Sequence, residues 1–226
     1  MSLQLDSASG GYGDTMIHRA LSLDVRAGEV VAIVGRNGTG KTTLARLIAG
    51  ALPLAGGTIR LGARPLEAMN GWARARAGIV SMPQTGMVFD GLSVRENLVL
   101  SGADADAIAA MIERFPRLGD RLEQRAGSMS GGERKILGLA RALLMPGRAL
   151  ILDEPSEGVQ PEAIDRMQAL ILARRQAGGA VLLLEQNVSM ILAVADRVLA
   201  LDVGGFTFAL TGPEMTRAAV LAALEL

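Results

Sequence analysis

Between Glu29 and Ala51 the chain passes from an apolar run to a glycine-rich loop to a helix-like stretch, and few folds tolerate that succession. Glu29 to Val34 reads EVVAIV, a short and mostly β-branched run that stops at Gly35, as a buried strand would. Gly35-Arg36-Asn37-Gly38-Thr39-Gly40-Lys41-Thr42 follows, and Lys41 to Ala51 has helical character, closed by Gly50. The octet fits the phosphate-binding pattern G-x-x-x-x-G-K-[S/T] in the strand–loop–helix setting its chemistry requires. Glycines let the loop wrap with its backbone N–H groups pointing inward, and these groups add to the positive end of the helix in attracting phosphates. Lys41 can reach the outer phosphates as a point charge, and the Thr42 hydroxyl can ligate Mg²⁺. Lys41 and Lys135 are the only lysines among 23 basic residues, so the placement of Lys41 in this loop carries weight.

The rest of the chain supplies a sheet around that strand. Its 226 residues suit one α/β domain with an insertion, and half of them are apolar, enough for a sizeable core. Aromatics are only 3%, so aliphatic side chains and Met must fill that core. Residues 21–27 alternate apolar and polar like a half-exposed strand. Gly56-Gly57 marks a turn before a strand at Thr58–Leu61. From about Thr85 to Pro146 the composition shifts to Ala, Arg, Glu and Leu at helical spacing, with a capping-box pattern at Ser93-Val94-Arg95-Glu96. Ala149–Leu152 and Ala180–Leu184 are continuous apolar runs suited to a parallel sheet covered on both faces. Helices are expected at Pro161–Gln176 and Ser189–Ala195. Strands alternating with helices make an open α/β sheet.

Composition excludes several functions. The 23 acidic residues balance the 23 basic ones, so nothing reads as a general nucleic-acid or anionic-membrane binder. There is no cysteine, hence no disulfide or thiolate metal site, and the single histidine, His18, rules out a His-rich metal centre. His18, Arg74 and Arg76 are expected at the surface, and the Met residues and Trp72 need no functional role. No secretory signal is visible, and no uncharged apolar run approaches the roughly 20 residues that span a bilayer. A cytosolic protein that docks on other subunits for any membrane work is expected.

A second acidic element complements the loop. Arg148-Ala149-Leu150-Ile151-Leu152-Asp153-Glu154 is an apolar strand ending in two carboxylates. A strand delivers its last residues to the carboxyl edge of the sheet, where ligands of α/β folds bind. Successive residues point to opposite faces, so one carboxylate can serve a metal while the other serves an attacking water as general base.

Between the loop and this strand lies Met129-Ser130-Gly131-Gly132-Glu133-Arg134. Here the sequence resembles the ATP-binding subunits of ABC transporters, whose signature motif is an SGG core shortly upstream of the acidic strand. The resemblance covers nearly the whole chain. Tyr12 resembles the aromatic that stacks on adenine, Gln84 in Ser81-Met82-Pro83-Gln84 the glutamine of the Q-loop, and Ser156-Glu157-Gly158-Val159 the D-loop. It implies a P-loop NTPase fold, α/β, with a RecA-like, mostly parallel core, an N-terminal antiparallel β part and an inserted helical subdomain. One ABC ATPase domain is expected, with its core at 1–84 and 148–226 and its helical subdomain at about 85–147. Gly35, Arg36, Asn37, Gly38, Thr39, Gly40, Lys41, Thr42 and Thr43 are implied to hold ATP. Thr42, Asp153 and Gln84 are implied to serve Mg²⁺, Glu154 to orient or deprotonate the attacking water, and Ser130, Gly131 and Gly132 to grip the nucleotide of a second subunit. The physical reading agrees: the N–H groups at the start of a helix form an anion site, surplus to a single nucleotide already held by the first loop.

One position departs from the family pattern. Leu184-Glu185-Gln186-Asn187 carries Gln186 where the family usually has a histidine. Glutamine can donate a hydrogen bond to a γ-phosphate and cannot titrate.

Glu113 to Leu118, Arg125 to Glu133 and Val181 to Asn187 resemble the branched-chain amino-acid importers; Ser156 to Pro161 resembles the related urea and short-amide importers. The chain ends soon after its last strands, which suits this branch. The resemblance implies a homo- or heterodimer with a second ABC ATPase subunit at the cytoplasmic face of the inner membrane. It further implies transmembrane permease subunits and, indirectly, a periplasmic substrate-binding protein. The rivals are an ABC-type ATPase acting on nucleic acid or ribosomes, a small-molecule kinase and a non-catalytic scaffold. The first would carry a coiled-coil insertion or tandem cassettes, the second an acceptor site with a lid, and Glu154 weighs against the third.

Overall fold

The computed structural model describes residues 2–85, 87–203 and 205–225. In chain order the elements are β1 (Leu3–Tyr12), β2 (Thr15–Val25), β3 (Val30–Val34), α1 (Lys41–Ala49), β4 (Gly56–Leu61), β5 (Arg64–Pro65), α2 (Gly71–Ala77) and β6 (Ile79–Met82). Then come α3 (Val94–Val99), α4 (Ala105–Arg114), α5 (Pro116–Gly119), α6 (Gly131–Leu144), β7 (Ala149–Asp153), α7 (Pro161–Gln176), β8 (Ala180–Leu184), α8 (Val188–Val194), β9 (Arg197–Asp202), β10 (Gly205–Thr211) and α9 (Arg217–Leu224). Two sheets result. One is antiparallel, in the order β2-β1-β4-β5; the other runs β10-β9-β3-β8-β7-β6. In the second, β9, β3, β8, β7 and β6 are parallel and β10 is an antiparallel edge.

The parallel strands are apolar throughout because helices or the other sheet cover both their faces. In β8, Leu182 and Leu184 pack with the antiparallel sheet and α1, whereas Val181 and Leu183 face α3, α6 and α7. This two-residue alternation places the sheet between two cores. A third, smaller cluster joins Ala32 and Val34 of β3 to Ile191 of α8 and Val220 of α9. Between β6 and β7 the described residues form helices and turns, with a lone antiparallel bridge at Ser93–Arg125. Among the described residues no helix is long and apolar enough to cross a membrane.

Two side chains expected at the surface are buried. Arg74 on α2 is 1% exposed, and its guanidinium donates to the carbonyls of Leu47 (2.6 Å), Ile48 (3.0 Å) and Met69 (3.0 Å). It closes the carboxyl end of α1, where orphan carbonyls and the negative end of the dipole favour a cation. Arg76, beside it, stacks on Trp72 at 4.8 Å. His18 is wholly buried. Its position follows from β2: Gly10 pairs with His18 but Ala8 with Leu21, so β2 carries an extra residue there. Ala20, at φ 52°, takes up the bulge and flips the inward–outward phase of the strand.

Candidate functional site

Loop Gly35–Gly40 leaves the carboxyl end of β3 and feeds α1. Gly40 has φ 98°, and a Cβ there would lie 2.6 Å from the His18 ring, so the position needs glycine on both counts. His18 Nε2 sits 2.8 Å from the Gly40 carbonyl, which can only accept, so Nε2 carries the hydrogen. Burial pushes the His18 pKa below the usual histidine value, opposed by that hydrogen bond, and the ring stays neutral. Lys41, 5% exposed, donates to the carbonyls of Gly35 (2.7 Å) and Arg36 (2.9 Å), so its ammonium curls over the loop mouth. Burial lowers its pKa, against the pull of Glu154 and Asp153.

The loop opens on a cavity of about 680 Å³, ample for a nucleotide. Asn37, Gly38, Gly40, Lys41, Thr42 and Thr43 line it, facing Gln84, Glu154 and Gln186 from three other segments. Asp153 ends β7 just behind, 1% exposed, and neither of its oxygens has a hydrogen-bond partner of ordinary geometry. Burial raises its pKa, against the Thr42 hydroxyl alongside; Glu154 pushes it up further, and Lys135 and Lys41 pull it down. Two orphaned carboxylate oxygens beside a hydroxyl and a phosphate loop suit a hard divalent cation such as Mg²⁺.

Glu154 is the first residue beyond β7 and has left-handed backbone, φ 49°. Gln84 Nε2 donates to its Oε2 at 2.7 Å and Gln186 Nε2 to its Oε1 at 2.7 Å. Gln186 also donates to Asn37 Oδ1 at 2.8 Å, tying the carboxylate to the loop. Gln84, Glu154, Gln186 and the loop thus converge as the sequence motifs suggest. Tyr12 stands apart: it does not line the cavity, is 41% exposed, and its hydroxyl accepts from Arg46 at 2.9 Å. Ile17 lines the cavity instead.

Ser130 caps α6: its hydroxyl accepts from the Glu133 N–H (3.3 Å), while the Glu133 carboxylate takes the Ser130 N–H (3.0 Å) and hydroxyl (2.9 Å). Ser130 and Gly132 line a separate cavity of about 450 Å³ with no lining residue in common with the first. A Cβ on Gly132 would lie 2.4 Å from the Gly158 carbonyl, whereas one on Gly131 would meet nothing within 4 Å. So Gly132 locks α6 against the segment after β7, and Gly131 faces open space.

Sequence reasoning passed over Lys135 and Glu185. Lys135 Nζ donates to the Glu154 carbonyl at 2.6 Å; the sole signal was its rarity. Glu185, 3% exposed, accepts from the N–H groups of Ser156 (3.2 Å), Gln186 (2.7 Å) and Asn187 (3.0 Å), joining the loop after β8 to that after β7.

Glycine loop, curled lysine, buried strand-end aspartate and clamped glutamate at the carboxyl edge of a parallel sheet define a P-loop nucleoside triphosphatase. The ABC transporter family model matches residues 18–157. The high-affinity branched-chain amino acid transport ATP-binding protein BraG of Pseudomonas aeruginosa is 37% identical over 216 residues, 93% of each chain. The probable branched-chain amino acid transport ATP-binding protein LivF of Archaeoglobus fulgidus is 32% identical, covering 92% of this chain and 91% of its own. A solved ATP-binding subunit of an ABC transporter superposes with a TM-score of 0.84 at 25% identity, over 93% of this chain and 90% of that one. The chain therefore belongs to the ABC transporter family as an ATP-binding, ATP-hydrolysing subunit.

Proposed function

We propose that the chain powers uptake of branched-chain amino acids through separate permease subunits by closing and opening a head-to-tail pair of ATPase subunits. The separate lining of the two cavities carries this reading. A triphosphate seated on the first loop leaves Ser130, Gly131 and Gly132 without a ligand, and a second subunit turned about a two-fold axis supplies one. The substrate class rests on the names of the relatives, because transported molecules do not touch such a subunit. A periplasmic binding protein would deliver the amino acid, and the chain would sit peripherally on the cytoplasmic face of the membrane. Residues 85–147 would form the helical subdomain that docks on the permease, and 1–84 with 148–226 the core.

The residues divide the chemistry. The N–H groups of 35–43 cradle the phosphates, and Lys41 exchanges its two carbonyl partners for β- and γ-phosphate oxygens. Tyr12, at the end of β1, stacks on the adenine. Thr42 and Asp153, with Gln84 beside them, would hold Mg²⁺, which would supply charge neutralisation at those phosphates. Glu154 accepts the proton of the attacking water as the new P–O bond forms and the bond to the leaving ADP oxygen breaks. Gln84 and Gln186, which clamp its carboxylate in the resting chain, turn their amides to water and γ-phosphate.

Glu154→Gln tests the reading. Turnover should fall about a hundredfold or more, and size-exclusion chromatography in MgATP should show a trapped dimer. A variant that stays monomeric and hydrolyses at the normal rate refutes it. Uptake of labelled leucine by vesicles holding the chain with its permeases and binding protein tests the substrate class.

A further inference from the structure

Each polar group of Glu154 is held by a different part of the fold. Its N–H donates to the Leu184 carbonyl of β8 at 2.8 Å. Its carboxylate accepts from Gln84 and Gln186. Its own carbonyl accepts from Lys135 at 2.6 Å and, more weakly, from the Glu157 N–H of the following turn at 3.4 Å; Lys135 belongs to α6, the helix that Ser130 caps. The lysine side chain is 11% exposed, and its ammonium also pairs with the Glu157 carboxylate at 3.2 Å. Gln84 reaches that same carboxylate at 3.5 Å. A non-glycine residue at positive φ persists only where surrounding contacts hold it, and Lys135 grips the peptide that follows the strained Cα of Glu154.

We propose that Lys135 is a positioning residue for ATP hydrolysis: from the helix opened by the signature loop, it fixes the backbone of Glu154 and thereby aims that carboxylate at the chain's own nucleotide. This role presupposes Glu154 as the general base proposed above. The ammonium is committed to the Glu154 carbonyl and the Glu157 carboxylate, and little of the side chain is exposed. It therefore gives the chain an internal link from one anion loop to the other. A ligand pressing on Ser130 bears on α6, and α6 holds the peptide that sets the direction of the base.

Steady-state ATPase kinetics on Lys135→Met and Lys135→Arg test this. Met keeps the length and packing of the stem and loses donor and charge. Its kcat should fall about 10- to 100-fold, the scale of a catalytic group displaced by an ångström, with ATP binding and KM unchanged. Lys135→Arg should retain most of the wild-type kcat. Pairs of one Lys135→Met chain with one Glu154→Gln chain, isolated through two different tags, should have almost no activity, because each site then has a defective base. Half the wild-type rate in those pairs would overturn the proposal by assigning Lys135 to the partner's nucleotide. A normal kcat for Lys135→Met, an equal loss for Lys135→Arg, or loss of ATP binding in Lys135→Met would overturn it as well, the last by making the residue a support of the fold. Glu154→Gln alone, in the same assay, separates the two readings: normal turnover there removes the base itself.

Discussion

The two anion-facing loops share a design, a run of backbone N–H groups opening a helix, and differ in what stands behind them. Behind Gly35–Gly40 everything is filled: His18 backs Gly40, Lys41 is 5% exposed, and α1 is closed at its far end by Gly50 and Arg74. In front of Ser130 and Gly131 the chain is open, and Ser130 occupies itself with Glu133. The first loop is pre-organised by its own chain, so it can bind with little ordering cost. The second is finished in shape and open in front, the difference on which the proposed pairing of subunits rests.

Substitutions on the two sides should separate cleanly. The largest expected effect is on the open side: Ser130→Arg should lower turnover about 100- to 1,000-fold, the scale of removing a donor from charge developing in a transition state. Equilibrium binding of ATP to the same chain should be unchanged, and a parallel loss of binding would erase the distinction between the loops. On the filled side, Arg74→Met removes the donor to the carbonyls of Leu47, Ile48 and Met69, of which Leu47 keeps only the Gly50 N–H. It should cost about 3 kcal/mol, which for a chain of this size lowers Tm by roughly 6–12 °C. An unchanged melting curve would show that α1 does not need its cap.

Asp153 offers a smaller test with a definite sign. Its folded pKa lies above 3.8, so the nucleotide-free fold binds a proton more readily than the unfolded chain does. Its stability therefore falls as pH rises through that raised value. Asp153→Asn should remove this slope and stabilise the nucleotide-free protein at pH 7 by about 1–2 kcal/mol, while turnover is lost. Denaturant titrations from pH 4 to pH 7 give the comparison, and a destabilised variant would mean that Asp153 has a partner. Smallest is Tyr12→Ala, which should raise the ATP KM several-fold, in keeping with a stacking contact of about 1 kcal/mol, and leave kcat alone.

What was legible in the sequence was local. The octet at Gly35, the acidic end of β7 and the helix start at Ser130 each need only neighbouring residues, and α7 spans Pro161–Gln176 as its Pro start suggests. What was illegible depends on distant partners. Counting back by twos from Leu21 puts Arg19 inward and His18 outward, and only the extra residue at Ala20 reverses this. Arg74 resembles Arg76 in sequence; α1, some 25 residues upstream, makes it a buried cap. β1 reads LQLDSASGGY, too polar and glycine-rich to announce a strand, and it forms because β2 and β4 flank it. Lys135 could not be assigned without seeing where its ammonium ends.

The imidazole wedged behind the phosphate loop has an electrical consequence. A charged group there would add to the field that holds polyphosphate, and its titration would make the grip vary with acidity. An ordinary histidine gains a proton as pH falls through 6.5, but burial makes this one resist it, against the opposing hydrogen bond to Gly40. The imidazole therefore adds no charge of its own to the field behind the loop, where the positive contribution comes from amide dipoles and Lys41.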